Sequence, residues 1–259
     1  MPMLLVSPEL RLAACEYRWL LDRGYAESSA LKLVGDKHQL PRDERMILFR
    51  GVATSVDSSA RAALVLPRTG DALTGAHIYA DGYNQALTVM FYLLGRPLFV
   101  GTDGLTRDSG GSHGHIANEA LFERAAGILV EEVSKRRPAA VDLYLDEPVS
   151  GSAAHAALFR KLFMMAGIET EVRLEKSADA PLKALVGARE ASGERIVIAT
   201  SDSGIVKTFV GSAVDRTTRT LGVFDAARAA IELAFGPIEL LDLRLLLDGE
   251  TGLVAQAEL

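Results

Sequence analysis

The pattern of apolar and polar positions divides the chain into a helical N-terminal part and a longer part in which strands alternate with helices. In the first part, apolar residues recur at helical spacing on one face, as at Leu10, Ala13 and Tyr17. The pattern predicts a helical N-terminal subdomain over residues 1–60. A stretch rich in Gly, Ser, Thr and Ala follows, and we interpret residues 61–75 as a linker.

From residue 76 onward, short apolar runs alternate with amphipathic stretches. The clearest runs predict strands over residues 76–81, 140–146 and 195–200. Further strands are predicted at 97–102, 168–174, 238–247 and 252–256. Strands that alternate with helices are typical of a parallel sheet with helices on both faces. Residues 76–259 are therefore predicted to form an α/β domain, a three-layer α/β/α sandwich with a mainly parallel central sheet.

Composition and charge narrow the class of protein. The formal net charge of -6 argues against a surface that coats nucleic acid broadly, although a local basic groove remains compatible with it. Cys15 is the single cysteine, so an internal disulfide is excluded and a reducing compartment is favoured. No apolar run approaches the ~18 residues of a membrane span, and the N-terminus lacks the basic region of a signal peptide. We expect a cytoplasmic protein without a membrane partner.

Aspartates follow several of the predicted strands. Asp81 and Asp146 each come directly after an apolar run, Asp202 follows another after Thr200 and Ser201, and Asp179 begins the helix after residues 168–174. Because parallel strands place their carboxyl ends on one edge of the sheet, these four carboxylates can converge there. Aspartate is also common at these positions simply because it caps helices and favours turns. A functional cluster therefore requires that the strands be neighbours.

Converging carboxylates point to a metal ion. They repel one another unless a cation lies between them, and an all-oxygen ligand set suits Mg²⁺ or Mn²⁺. Such an ion activates water and stabilises charge on a phosphodiester. The residues thus favour metal-dependent phosphodiester hydrolysis, with the same four residues as metal ligands and catalytic groups: Asp81, Asp146, Asp179 and Asp202. Asn84, three residues after the first of them, is placed to orient its carboxylate.

A second candidate feature is the loop TDGLTRDSGGSHGH, residues 102–115. Long loops are often functional, so we interpret this one as facing the substrate. Arg107 is predicted to contact a phosphate, and His113 to bind metal or transfer a proton. The alternative is a glycine-rich loop whose polar groups bind its own backbone. The sequence contains neither of the glycine motifs typical of dinucleotide and P-loop nucleotide binding.

Three short motifs resemble the NYN branch of the PIN-like ribonucleases: DGYN at 81–84, SAD at 177–179 and IATSDS at 198–203. The resemblance implies an α/β/α sandwich whose acidic residues bind Mg²⁺ or Mn²⁺ and cleave RNA. The resemblance implies that Asp81, Asp179 and Asp202 are among the metal-binding acidic residues, and that Asn84 and Ser203 support them. Asp146 matches as an acidic residue after an intermediate strand. The whole chain is also similar to a largely prokaryotic family of uncharacterised proteins that join a helical N-terminal segment to a DGYN-containing domain.

Two functions of different classes follow. The first is a metal-dependent endoribonuclease, and the alternative is a non-catalytic RNA- or protein-binding module on a degenerate PIN-like fold. A small-molecule phosphatase is disfavoured because Asp81-Gly82-Tyr83 lacks the D-x-D pattern. The balanced charges of the N-terminal helices favour a packing role over a helix-turn-helix reader of nucleic acid. Burial in the monomer and pairing across a homodimer both explain the apolar run at residues 238–247.

Overall fold

The computed structural model of the protein describes residues 7–110, 116–188, 196–210, 221–248 and 253–254. The helices are α1 (Pro8–Leu21), α2 (Glu27–Lys37), α3 (Arg42–Gly51), α4 (Ser55–Ala62), α5 (Gly82–Leu93), α6 (Glu119–Lys135), α7 (Ser152–Met165), α8 (Asp179–Ala188), α9 (Ser203–Phe209), α10 (Ala226–Phe235) and α11 (Leu243–Asp248). The strands are β1 (His77–Asp81), β2 (Leu98–Val100), β3 (Thr106–Asp108), β4 (Ala140–Asp146), β5 (Thr170–Glu175), β6 (Ile196–Ala199), β7 (Leu221–Val223), β8 (Leu240–Asp242) and β9 (Leu253–Val254).

The chain forms two compact units, and each is assembled from separate stretches of sequence. The first unit consists of Met1–Ala63, Leu94–Gly111 and Pro237–Leu259, and the second of Leu64–Leu93 and Ser112–Gly236. Within the described ranges, no helix combines the length and the apolar character needed to cross a membrane.

The first unit begins with the predicted N-terminal helices. The Ser7 side chain caps α1 by accepting a hydrogen bond from the Leu10 backbone N–H at 3.1 Å. The buried face of α1 carries the residues of the predicted apolar stripe, and this face joins a cluster with Phe99 of β2 and Leu241 of β8. The unit also contains a four-stranded sheet in the order β3-β2-β8-β9, in which only β2 and β8 run parallel.

The second unit confirms the predicted α/β fold. Its five strands are all parallel, in the order β5-β4-β1-β6-β7. Every residue of β6 is buried, as expected for a central strand covered on both faces. Helices α5, α6, α7 and α10 pack together, while α8 packs with α9. Right-handed crossovers place these two groups on opposite faces of the sheet, which gives the α/β/α sandwich.

The domain boundaries differ from those predicted. The predicted α/β domain over residues 76–259 includes residues 94–111 and 237–259, but the structure places both in the first unit. The reason is that β2 pairs in the smaller sheet with β8, a strand that lies far from it in sequence. Residues 61–75 contain the end of α4, and the start of the second unit lies at Leu64.

The apolar run at residues 238–247 is only partly a strand. Its first part forms β8, and the chain then turns into α11, whose buried residues Leu243 and Leu246 lie one helical turn apart. A continuous apolar run fits either a buried strand or a buried helix, so periodicity could not distinguish them. The short strands β3 and β7 were not predicted because neither is a continuous apolar run: β3 is Thr-Arg-Asp, and β7 has a glycine at its centre.

Candidate active site

The strand order brings the predicted aspartates to one edge of the sheet. Asp81 ends β1, Asp146 ends β4 and Asp202 caps the helix after β6, and these strands are adjacent in the order β4-β1-β6. Asp179 begins α8, and the neighbouring Ala178 backbone N–H donates to Asp146 Oδ1 at 2.8 Å. From β1 the chain adds β4 and then β5 on one side of the sheet, and later adds β6 and β7 on the other side. The position between β1 and β6 is therefore the topological switch point, where open α/β sheets place ligands. The strands that the aspartates follow are therefore neighbours, as a functional cluster requires.

Asp81 is the most buried of these carboxylates, with 7% of its surface exposed. Burial is the main cause that raises the pKa of Asp81 from 3.8 to about 7. Negative charge acts in the same direction from Asp146, Asp202 and Asp179. The backbone N–H of Asn84, which donates to Asp81 Oδ1 at 3.1 Å, partly opposes the rise in pKa. The four carboxylates thus interact electrostatically, and this interaction helps to raise the pKa of the buried one, Asp81.

The position of Asp81 is fixed by the abrupt passage from strand to helix. Helix α5 begins at Gly82, directly after the last residue of β1. A Cβ atom at Gly82 would lie 2.6 Å from Leu145 Cδ2 and 3.0 Å from Leu143 Cγ, both on β4. Only glycine allows the start of α5 to lie this close to the neighbouring strand.

Asn84 supports the edge in a different way from that predicted. Its backbone, rather than its side chain, binds Asp81. The Asn84 side-chain oxygen instead accepts hydrogen bonds from the Ser201 backbone N–H at 2.9 Å and from the Ser201 hydroxyl at 3.0 Å. Asn84 therefore joins the first turn of α5 to the segment that follows β6.

Two residues that the sequence prediction missed lie in that segment. The Thr200 hydroxyl lies 3.5 Å from Asp81 Oδ2 and accepts a hydrogen bond from the Asp202 backbone N–H at 3.1 Å. Ser201 binds Asn84, as described above. The predicted supporting residue, Ser203, begins α9, and across the described ranges its side chain makes no hydrogen bond to the aspartates. The sequence feature that could have identified Thr200 and Ser201 is their position immediately after an apolar strand.

A basic residue also lies at this edge. The Lys183 Nζ donates to Asp179 Oδ2 at 2.6 Å, four residues away along α8. The hydrogen bond with Asp179 raises the pKa of Lys183, and the charges of Asp179 and Asp202 add to the effect. The spacing of four residues on a helix was the sequence signal for this pair.

Backbone hydrogen bonds use only part of the carboxylate oxygens of Asp146 and Asp202. Asp202 Oδ1 accepts the N–H groups of Gly204 and Ile205, and Asp146 Oδ1 accepts that of Ala178. In the part of the chain that is described, Oδ2 of each of these two aspartates has no hydrogen-bond donor. The same part contains no group of three or more His, Cys, Asp or Glu side chains arranged to hold one ion. Such oxygens fit a hard cation that binds one or two carboxylates and completes its shell with water and phosphate.

The two predicted substrate contacts have different outcomes. Arg107 lies on β3 in the first unit with 3% of its surface exposed, and it makes a bidentate salt bridge to Asp103 at 2.8 and 2.7 Å. Arg107 is therefore a buried structural residue, which corrects the prediction that it contacts phosphate. Although burial alone would raise the pKa of Asp103, Arg107 holds that pKa below its ordinary value. His113 lies outside the described residues.

Comparison with known proteins matches two stretches of the chain to two families. The model of a family described as Domain of unknown function (DUF5616) matches residues 70–216, a range that includes all four aspartates. That of a family described as Protein of unknown function (DUF434) matches residues 9–63. An uncharacterized protein of Methanocaldococcus jannaschii is 27% identical over 192 residues, which cover 74% of this chain and 86% of the relative. No solved structure gives a significant match.

Proposed function

The chain belongs to the DUF5616 family, and we propose that the acidic edge within the matched residues is the active site of a Mg²⁺- or Mn²⁺-dependent endoribonuclease. The proposal rests on the position and the pKa of Asp81. This buried carboxylate lies at the switch point of a parallel sheet, and its pKa is raised to about 7. Burying a carboxylate among others is unfavourable, and such clusters are typical of functional sites rather than of cores.

The protein's own groups divide into those that hold the ion and those that fix their geometry. One or two of Asp81, Asp146 and Asp202 would supply carboxylate oxygens to the ion, with Asp179 at the margin of the group. The hydrogen bonds between Asn84 and Ser201 hold the first turn of α5 to the segment that follows β6. A divalent ion bound here would lower the pKa of a water molecule and stabilise charge on the phosphodiester. Hydrolysis then joins the water oxygen to phosphorus, breaks one P–O bond and leaves a proton on the departing oxygen.

RNA as the substrate rests on the resemblance to the NYN ribonucleases. The residues of its three motifs are those that line the acidic edge: DGYN at 81–84, SAD at 177–179 and the end of IATSDS at 198–203. A cytoplasmic setting belongs to the same proposal, because the single cysteine excludes an internal disulfide.

The test is a calorimetric titration with Mn²⁺, followed by cleavage of a fluorescent single-stranded RNA. We expect Asp81→Asn to lose both Mn²⁺ binding and cleavage while it still unfolds cooperatively. The matched control is Asp71→Asn, because Asp71 is a largely exposed aspartate of the same unit, paired with Arg137. This control is expected to behave like the wild type. Cleavage that survives in both Asp81→Asn and Asp202→Asn would refute the assignment.

The second candidate function is a non-catalytic RNA- or protein-binding module. It is favoured by one observation, namely that the described residues hold no preformed group of three metal ligands. A wild-type protein that binds RNA in an anisotropy assay, but neither binds Mn²⁺ nor cleaves the RNA, would support this function over the nuclease.

A further inference from the structure

Lys183 is the cationic group of the acidic edge. Within the described ranges, it is the basic side chain that makes an ion pair with one of the four aspartates, through the 2.6 Å contact between its Nζ and Asp179 Oδ2. The lysine side chain is 36% exposed, so an incoming ligand has access to it. The pair is thus neither buried in the core nor fully solvated.

The ammonium lies between the starts of two helices. A Cβ atom built on Gly204, in the first turn of α9, would be 3.9 Å from Lys183 Nζ. The Gly204 backbone N–H donates to Asp202 Oδ1 at 2.6 Å, so the carboxylate of Asp202 shares this location. Helices α8 and α9 pack against each other and keep these groups together. Lys183 therefore interacts with the acidic residues that begin both helices.

A lysine in this position changes what else can bind. Its ammonium already binds Asp179 Oδ2, so a divalent ion that shares this oxygen meets a positive charge beside it. Sites with two metal ions place them about 3.5–4 Å apart and need carboxylates for both. Here one set of oxygens, on Asp81 and Asp146, has no lysine partner among the described residues, whereas Asp179 does. The edge therefore offers one position for a divalent ion beside one that already holds a positive charge.

We propose that Lys183 is a built-in second cation of this site. Its ammonium takes the place of a second divalent ion near Asp179 and Asp202, so the protein binds one divalent ion per chain. The same ammonium is placed to contact a non-bridging oxygen of the phosphodiester, a role for which lysine serves as a point charge. The inference rests on the proposed function, and it makes Asp179 the residue that positions the lysine rather than a ligand of the metal.

The experiment counts bound Mn²⁺ by calorimetry and, independently, by the electron paramagnetic resonance signal of free Mn²⁺. The wild type is compared with Lys183→Met, Lys183→Arg and the control Lys161→Met, which removes an exposed lysine of α7. We expect one ion in the wild type. In Lys183→Met we expect either a second ion or binding that is about tenfold tighter. Lys183→Arg keeps the charge and is expected to retain one ion, and the control should match the wild type.

The RNA cleavage assay adds a second readout. Loss of a phosphate contact in Lys183→Met should raise KM for RNA, with partial rescue in Lys183→Arg. Two ions in the wild type, or unchanged ion number and affinity in Lys183→Met, would overturn the role of Lys183 while leaving the metal site in place. A wild type and a Lys183→Met variant that both fail to bind Mn²⁺ would overturn the metal site and this inference together. A urea unfolding curve for each variant establishes that it is folded.

Discussion

At the scale of single residues, Asp81 carries an electrostatic penalty that is visible in its pKa. The folded protein holds the Asp81 proton up to about pH 7, whereas its ordinary pKa is 3.8. Between these values the folded state binds more protons than the unfolded state, so the free energy of unfolding falls as pH rises. Above pH 7 the penalty of the ionised, buried carboxylate is fully present.

Asp81→Asn is therefore expected to stabilise the metal-free protein at pH 8. The variant keeps an oxygen that can accept the Asn84 N–H but carries no charge. The gain has an upper bound of about 4 kcal/mol, from 1.36 kcal/mol per pKa unit, and it should vanish near pH 3.5, where both proteins are neutral at this position. Urea unfolding in the presence of a chelator at the two pH values measures it.

A control and a contrary result sharpen this test. Asp71→Asn, at a largely exposed position, should change stability little at either pH. If Asp81→Asn were less stable than the wild type at pH 8, then burial would not be what sets the pKa of Asp81.

At the scale of elements, the site depends on the junction of β1 and α5. Gly82→Ala would bring a methyl group to 2.6 Å from Leu145 Cδ2, so strand β4 or the start of α5 must move. We expect a loss of about 1–3 kcal/mol in the free energy of unfolding, as for other overpacked positions. Mn²⁺ binding should weaken as well, because the shift displaces Asp81.

Gly127→Ala is the matched control for this substitution. Gly127 lies within α6, and a Cβ atom there would meet nothing within 4 Å. Alanine is favoured over glycine inside a helix by about 0.5–1 kcal/mol, so this variant should be at least as stable as the wild type. Urea unfolding of the two variants provides the comparison, and equal stabilities would contradict the close packing of α5 on β4.

Local patterns predicted most elements of the second unit but not their partners. The strand predicted over 76–81 appears as β1 and that predicted over 140–146 as β4, because each combines apolar character with a clear end. The run at 238–247 forms a strand followed by α11, and the pattern could not predict this because its apolar residues fit both the period of a strand and that of a helix. Arg107 was misassigned because its sequence neighbours include glycines, and its buried contact with Asp103 became evident only in the fold.

At the scale of the whole molecule, the first unit is assembled from three distant stretches. Its apolar cluster joins residues of the N-terminal helices, such as Leu10 and Leu48, to Phe99, Leu241 and Leu243. Each fully buried side chain of this kind contributes about 1.5–3 kcal/mol. The N-terminal helices therefore cover apolar surface that belongs to later parts of the chain.

A fragment of residues 76–259 is consequently expected to aggregate or to bind a hydrophobic dye, although it spans the whole predicted α/β domain. Removal of α1 and α3 uncovers Phe99 and Leu243, which are buried in the full chain. Co-expression with residues 1–75 as a separate chain should restore a soluble complex. Size-exclusion chromatography and dye fluorescence provide the measurement, and a soluble fragment with an unchanged urea midpoint would contradict the expectation.

The sequence by itself determined the class of fold and the strands that end in aspartate. These features follow from backbone preference and from burial within one element, both of which leave a local pattern. Only the tertiary structure decided that β4, β1 and β6 are neighbours, that Asp81 is the buried carboxylate, and that Asp202 of the next helix lies close enough to Lys183 to raise its pKa. Strand order and burial arise from contacts between residues far apart in the chain, and no local pattern records them.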